Sequence, residues 1–489
     1  MRFTLLLLLT GIFSSTFVYS KNLQDSLPAK NGYYIPITLT PYKNAKIYLG
    51  TYYGKNKILV DSCMLNEKSE GLFSGSAKLD EGIYFLVSPQ RTLLFEVLMD
   101  SAQHFSIQSD SSQLADIQTE GSAENKLFAD YSRYLLKVAP KINTLQSEMK
   151  HSAKNKKDST AIMDQIKLWS DSMNQYRDHI VKQYPESMLA TLFEAVKVPS
   201  FPPMPVKPDG TKDSAYPWQY VKEHFWDQVN FYDGRLLHTP FFDSKINDYL
   251  DNYISQQPDS VIDAINYMLL SSRSNEKMFQ YLLAKFTDKY INPQIMGQDK
   301  VFLFLFDHYF SKGDTGWLNA SQKKYIFDRA YSLIANQLGD AAPQLDLVDS
   351  SGNEASLYAI KAPFTFVIFW DPLCSHCQEQ VPELDSLYEH KWKSLGVKIF
   401  AVNTNENTKP DWEKFIIEHH LNGWIHAWQP REGRLADEQN AKPNFRQLFD
   451  ITQTPTTYLL DENKKIIAKK LSFEQYDQII ESKLKNTTP

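Results

Sequence analysis

The residues with the clearest chemistry are two cysteines in the segment 370–377, which reads WDPLCSHC. Two residues separate Cys374 from Cys377, so on a helix the two thiols lie one turn apart, close enough to form a disulfide. The thiolate is the reactive form of cysteine, and a free thiol with a pKa of about 8.5 is mostly protonated at neutral pH. The pair predicts thiol–disulfide exchange, in which Cys374 attacks and Cys377 resolves the mixed disulfide.

The elements around this pair favour an acidic first thiol. An apolar run at 364–370 predicts a buried strand, and a helical pattern follows it from Cys374 to about residue 390. A helix N-terminus presents unpaired N–H groups and a partial positive charge, so we expect a lowered pKa for Cys374. Ser375 and His376 lie between the cysteines. His376, as a cation or a dipole, would favour the thiolate further and make the disulfide more oxidising.

Three parts of the chain differ in pattern. Short β-rich runs and turn clusters at about 32–108 predict an antiparallel sandwich. Apolar residues recur at helical spacing from about 122 to 338, except in the proline-rich loop 200–208. Strands then alternate with helices, and the runs 456–460 and 465–468 predict a hairpin around the turn 461–464. The sequence therefore predicts a multidomain chain: a signal peptide at 1–20, a β-sandwich-like domain at 21–120, an all-α domain at 121–340 and an α/β domain at 341–489.

The N-terminus has the pattern of a secretory signal peptide. Arg2 precedes an apolar run with five consecutive leucines, and Val18 and Ser20 permit cleavage after Ser20. The run is shorter than the ~20 apolar residues of a membrane span, although an uncleaved anchor is the alternative interpretation. We expect the mature chain outside the cytoplasm, in the periplasm or cell envelope of a Gram-negative-type bacterium.

Composition excludes several classes of function. The chain has 489 residues, 42% of them hydrophobic, and a net charge of −6. An acidic surface argues against nucleic acid or an anionic membrane as the main partner. Three cysteines in so long a chain exclude a disulfide-stapled scaffold. Cys63 is interpreted as a small buried apolar residue.

The sequence lacks the residues that two other uses of the cysteine pair would need. A structural zinc site needs four ligands, and the sequence has no second Cys pair. A c-type haem needs histidine directly after Cys377, where this chain has Gln378. We therefore expect no metal and no cofactor other than the redox-active disulfide Cys374–Cys377.

The region from about 341 to 489 resembles thioredoxin, specifically the ResA/TlpA type of envelope thiol–disulfide oxidoreductase. Trp370 precedes the first cysteine at the family's usual spacing, and Pro382 lies where thioredoxin helices carry a kinking proline. Thr454-Pro455, just before a predicted strand, matches the family's cis-proline. In the family this backbone lies against the Cys pair and binds the extended substrate chain. The resemblance thus implies a substrate-binding role for Thr454 and Pro455.

Some positions depart from the family pattern. Ile368 stands where thioredoxin has a buried acid, and Leu373 replaces the usual tryptophan before the first cysteine. Glu379 is a candidate acid/base, with a solvated helix face as the alternative interpretation. The β-rich and helical regions upstream resemble uncharacterised domains found before such thioredoxins, and they bring no known activity.

Two classes of function follow. In the first, the chain exchanges disulfides with protein thiols. The resemblance favours reduction, fed by a membrane-linked electron donor, whereas the Ser-His dipeptide favours an oxidant or isomerase with a membrane-linked acceptor. In the second, the upstream domains capture a partner and the redox domain is secondary. A purely structural role for the thioredoxin-like domain is a third interpretation.

Overall fold

The computed structural model describes residues 31–487 apart from 114–116 and 152–155. The predicted signal peptide at 1–20 and its cleavage site lie outside the described residues. The chain divides into two compact units. The first holds the chain up to Ser255 together with Asn266–Tyr281, and the second holds Gln256–Ile265 together with the chain from Leu282 onward. The boundaries predicted at 120/121 and 340/341 remain predictions.

Eight strands form the N-terminal part of the first unit: β1 Tyr33–Thr40, β2 Lys46–Tyr53, β3 Asn56–Met64, β4 Glu70–Gly75, β5 Gly82–Val87, β6 Leu93–Met99, β7 Ser106–Asp110 and β8 Gln118–Glu120. They make two four-stranded sheets, ordered β4-β1-β7-β8 and β3-β2-β5-β6. Residues of β1 alternate between buried and half-buried, so one face of its sheet joins a core shared with β2 and β5.

One strand pairing corrects the antiparallel prediction. Strands β1 and β7 run parallel, with Ile37 opposite Ile107, whereas the other pairings in the two sheets are antiparallel. No hairpin joins β1 to β7, because five strands lie between them along the chain. Local turn signals therefore could not reveal the direction of this pairing.

Helices dominate the middle of the chain: α1 Ala123–His151, α2 Lys156–Gln183, α3 Met188–Val196, α4 Tyr216–His224, α5 Phe242–Asp248, α6 Pro258–Ser271, α7 Glu276–Tyr290, α8 Asp299–His308 and α9 Ala320–Ile334. A capping box between Asn319 and Gln322 begins α9. The loop 200–208 is not helical. Within the described ranges, no helix is long and apolar enough to cross a membrane.

The second unit contains a seven-stranded sheet ordered β10-β9-β13-β12-β11-β14-β15. Its strands are β9 Asp346–Val348, β10 Glu354–Ser356, β11 Phe364–Trp370, β12 Val397–Asn403, β13 Ile425–Trp428, β14 Thr456–Asp461 and β15 Ile466–Lys469. Its later helices are α10 Ser375–Leu387, α11 Lys409–Glu418, α12 Arg431–Gln439, α13 Phe445–Leu448 and α14 Phe473–Thr487. The predicted β14–β15 hairpin is confirmed. So is the predicted fold class: strand sheets, a helical middle and a C-terminal α/β part.

The central strand β11 is buried on both faces. Phe366, Ile368 and Trp370 point into one core, which also contains Cys377. Val367 and Phe369 point into the core on the other face. Side chains alternate along a strand, so a strand covered on both sides reads as a continuous apolar run. This burial fixes the end of β11, where the two cysteines follow.

Candidate active site

Cys374 and Cys377 lie where β11 ends and α10 begins. Cys374 is the N-cap residue of α10, with an extended backbone at φ −78° and ψ 122°. Cys377 lies in the first helical turn and is fully buried, whereas Cys374 is partly exposed. Both are free thiols in this structure. Cys374 is thus accessible from solvent, whereas Cys377 is enclosed in the core.

Asp371 organises the loop between the strand and the helix. Its backbone carbonyl accepts a hydrogen bond from the Cys374 N–H at 3.1 Å. Its carboxylate accepts from the Leu373 N–H at 2.9 Å and from Nδ2 of Asn405 at 2.9 Å. The loop is therefore tied to the end of β12. Sequence reasoning missed both residues, although an aspartate two residues before a turn N–H is a local signal that could have indicated Asp371.

The cis peptide bond between Thr454 and Pro455 lies against the cysteine pair. The Cys374 thiol donates a hydrogen bond to the Thr454 carbonyl oxygen at 3.3 Å, across 80 positions of sequence. Strand β14 begins at Thr456 and pairs antiparallel with β11, which delivers this loop to the end of β11. The Thr454-Pro455 backbone therefore lies beside the Cys374 sulfur.

The two thiols differ in acidity. Burial raises the pKa of Cys374, but hydrogen bonds from the Thr454 side chain and from the backbone and thiol of Cys377 outweigh it, so the pKa ends below its ordinary value. The backbone of His376 acts in the same direction. Burial raises the pKa of Cys377 to about 12. Near neutral pH, Cys374 is the thiol that ionises more readily, and Cys377 keeps its proton.

The remaining predicted site residues differ in how far they are buried. Ser375 and His376 are exposed on the first turn of α10, and Glu379 is exposed further along the same helix. Trp370 is fully buried and packs edge-on against Phe415 at 5.2 Å between ring centroids. The structure thus brings Thr454 and Pro455 to the cysteine pair, leaves Glu379 on a solvated face and makes Trp370 a core residue.

Replacing Thr454 by valine is expected to raise the pKa of Cys374. Valine removes the side-chain hydrogen bond that stabilises the thiolate while keeping the shape. Because iodoacetamide reacts with the thiolate, the pH profile of Cys374 alkylation should shift to higher pH and the rate at pH 7 should fall several-fold. Mass spectrometry of the labelled peptide measures this rate. Thr452→Val, at an exposed position of the same loop, is the matched control. An unchanged profile for Thr454→Val would contradict the assignment.

Among the described residues, no group of three or more His, Cys, Asp and Glu side chains is arranged to hold a metal ion. The cysteine pair itself presents two free thiols. A Cys-x-x-Cys pair at a helix N-terminus, beside a cis-proline loop and at the end of a central buried strand, defines a thioredoxin-like thiol–disulfide redox protein.

Comparison with known proteins narrows this class. Residues 338–469 match the AhpC/TSA family. The thiol–disulfide oxidoreductase ResA of Geobacillus kaustophilus is 30% identical over 148 residues, which cover 30% of this chain and 77% of that protein. ResA of Geobacillus thermodenitrificans is 32% identical over the same length, with the same coverage. The chain belongs to the ResA family of thiol–disulfide oxidoreductases and is an enzyme of that class.

Two further matches are to a domain of unknown function and to a solved structure. Residues 146–333 match a domain of unknown function, DUF5106, in agreement with the resemblance of the helical region to an uncharacterised domain. A crystal structure of a thioredoxin-like protein from Bacteroides caccae aligns with a TM-score of 0.44 at 19% identity. That alignment covers 58% of this chain and 99% of the other.

Proposed function

We propose that this enzyme reduces protein disulfides in an extracytoplasmic compartment, with Cys374 as the attacking thiol and Cys377 as the resolving thiol. The observation that carries the proposal is the asymmetry of the pair. Cys374 is partly exposed and its pKa is lowered by hydrogen bonds despite burial, whereas burial raises the pKa of Cys377 to about 12. Only one of the two sulfurs is both reachable and ready to ionise.

The reaction runs in two exchanges. The Cys374 thiolate attacks one sulfur of the substrate disulfide, the S–S bond of the substrate breaks, and a Cys374–substrate mixed disulfide forms with release of one substrate thiolate. Cys377 then passes its proton to the released substrate thiolate and attacks the sulfur of Cys374. The second substrate thiol leaves, and the Cys374–Cys377 disulfide remains. Two electrons have passed to the substrate, so a membrane-linked donor must reduce the pair again.

Neighbouring groups support binding of an extended peptide. The Thr454-Pro455 backbone lies beside the reactive sulfur and is the candidate for holding the substrate chain. Leu373 is 61% exposed directly before Cys374 and offers an apolar contact to the substrate. Export is supported by the signal-peptide pattern at 1–20.

The alternative direction has one specific observation in its favour. A lowered pKa of Cys374 stabilises the reduced pair, and that makes the disulfide form more oxidising. The exposed His376 between the cysteines acts in the same sense when it is protonated. An oxidant or isomerase is therefore the second candidate, and the reduction potential separates the two.

The deciding measurement is the reduction potential of the Cys374–Cys377 pair. The mature chain, carrying Cys63→Ala so that only the pair titrates, is equilibrated with dithiothreitol or glutathione buffers, thiol-trapped and read by mass. For a reductase we expect a value below roughly −220 mV. A value of roughly −120 to −180 mV would instead support the oxidant or isomerase. Failure to form a reversible bridge would overturn the enzymatic role of the pair and favour the binding interpretation.

A further inference from the structure

The loop that carries Thr454 and Pro455 is held from outside the α/β fold. This loop, residues 449–455, is named the proline loop. Asp450 lies near its start, and the Asp450 side chain is only 1% exposed. A buried carboxylate is costly unless it is paired and hydrogen-bonded. The position of the loop therefore depends on the partners of Asp450.

One of those partners comes from the upstream helices. Arg329, on α9, forms an ion pair through Nη1 with Oδ1 of Asp450, and the Arg329 side chain is 12% exposed. Its Nε donates to the Ile291 carbonyl at 3.1 Å and to Oδ1 of Asn292 at 3.0 Å. The hydrogen bonds of Nε thus orient the guanidinium, and Nη1 pairs with Asp450 of the proline loop. A planar guanidinium can make both sets of contacts at once, and a lysine ammonium cannot do so in the same geometry.

The second partner belongs to the sheet. Lys470, directly after β15, contacts Oδ2 of Asp450 at 2.5 Å and the Asp450 carbonyl at 3.0 Å. Lys470 is 37% exposed, so water weakens this pair more than the buried pair with Arg329. Arg329 is therefore the better shielded of the two charges that hold the proline loop.

A second contact from the same helical segment holds the residue just before the loop. Asn336, two residues after α9, is fully buried and donates from Nδ2 to the Leu448 carbonyl at 2.9 Å. The Asn336 carbonyl and Oδ1 accept from Nζ of Lys469 at 2.6 and 3.0 Å. Lys469 also pairs with Asp299 of α8 at 2.7 Å. Helices α8 and α9 thus brace both the approach to the proline loop and the strand β15.

We propose that Arg329 is a positioning residue of the redox site. It holds Asp450 so that Thr454, four residues on, keeps its contact with the Cys374 sulfur. The inference rests on the proposed function, which makes Thr454 and Pro455 the substrate-binding backbone. It also places a determinant of activity upstream of residue 338, where the AhpC/TSA match begins. Displacements of about 1 Å at such a site are enough to reduce rates strongly.

The test compares Arg329→Met with Lys324→Ala in the full chain. Lys324 is on the same helix and pairs with Asp328 at the exposed surface, so its loss should leave activity unchanged. For Arg329→Met we expect the alkylation profile of Cys374 to move to higher pH. We also expect kcat/KM for insulin, with dithiothreitol as electron donor, to fall about 10-fold. The loss should be smaller with bis(2-hydroxyethyl) disulfide, which has no peptide chain to lie along the loop.

Further variants separate positioning from simple destabilisation. Arg329→Lys should restore part of the insulin activity, because it keeps a charge near Asp450 but loses one set of contacts. Asp450→Asn should reproduce the defect, and combining it with Arg329→Met should add little, since both remove one interaction. If Arg329→Met does not fold, Asp450→Asn alone carries the test. A folded variant with the normal alkylation profile and normal kcat/KM for both disulfides would overturn the proposal.

The design distinguishes this proposal from the proposed function. If the unmodified chain fails to reduce insulin, the proposed function fails, and the alkylation profile of Cys374 still reports whether Arg329 positions the loop. If the unmodified chain is active and the Arg329 and Asp450 variants match it, only the positioning role is lost.

Discussion

Replacing Cys374 by serine is expected to lower the rate of disulfide reduction by at least about 10³-fold, because removing a nucleophile removes most of the catalysis it supports. A serine hydroxyl stays protonated at neutral pH and forms no disulfide with the substrate. Cys377 does not replace it, because that thiol is fully buried and its pKa is raised to about 12. Insulin reduction with dithiothreitol as electron donor, followed by turbidity, measures the loss.

Cys63→Ala is the matched control for this experiment. Cys63 lies at the end of β3 within the core of the first unit, and burial raises its pKa, so we assign it no part in exchange. Its removal should leave the rate of insulin reduction unchanged. If Cys374→Ser retained more than about a tenth of the activity, another thiol would have to make the attack. That result would contradict the attacking role of Cys374.

Replacing Cys377 by alanine is expected to trap the enzyme on its substrate. Cys374 still attacks, but no neighbouring thiol resolves the mixed disulfide, so the release of reduced insulin in a single turnover of the pre-reduced enzyme should slow by about 10²-fold or more. Alanine suits the apolar core around Cys377 better than serine, whose hydroxyl would be buried there. Non-reducing electrophoresis and mass spectrometry with insulin as substrate detect the covalent adduct on Cys374.

The double variant Cys374→Ser/Cys377→Ala is the control for the trapped adduct. It lacks both thiols of the pair and should give no adduct with insulin, while Cys63 stays available as the remaining cysteine. An adduct on Cys63 would show that trapping is not specific to Cys374, and the absence of any adduct in Cys377→Ala would remove the resolving role from Cys377. The attacking role of Cys374 would then have to rest on the serine variant alone.

Local patterns correctly predicted the strand and the helix that flank the cysteine pair. The apolar run at 364–370 is the buried strand β11, and the helix after it begins with Cys374 at its N-cap. A strand buried on both faces and a helix start are readable in sequence, because each depends on neighbours only a few residues away. The same holds for the β14–β15 hairpin.

Long-range contacts were beyond the reach of these patterns. No local turn signal predicts the parallel pairing of β1 with β7, because these strands are far apart in the chain. The contact of Asn405 with Asp371 and that of Arg329 with Asp450 join segments far apart in the chain. The two candidate residues Trp370 and Glu379 also differ in burial, which the sequence pattern did not show. Trp370 is a core residue, and Glu379 is exposed on α10.

The sequence by itself determined that this protein carries a pair of cysteines at the start of a helix, since two cysteines one turn apart are a local arrangement. Only the tertiary structure decided which groups tune that pair. Strand β14 has to pair with β11 before Thr454 can reach Cys374, and α9 has to pack in the same unit before Arg329 can reach Asp450. The physical reason is that hydrogen bonds and ion pairs act over a few ångströms, so their partners are known only once the chain has folded.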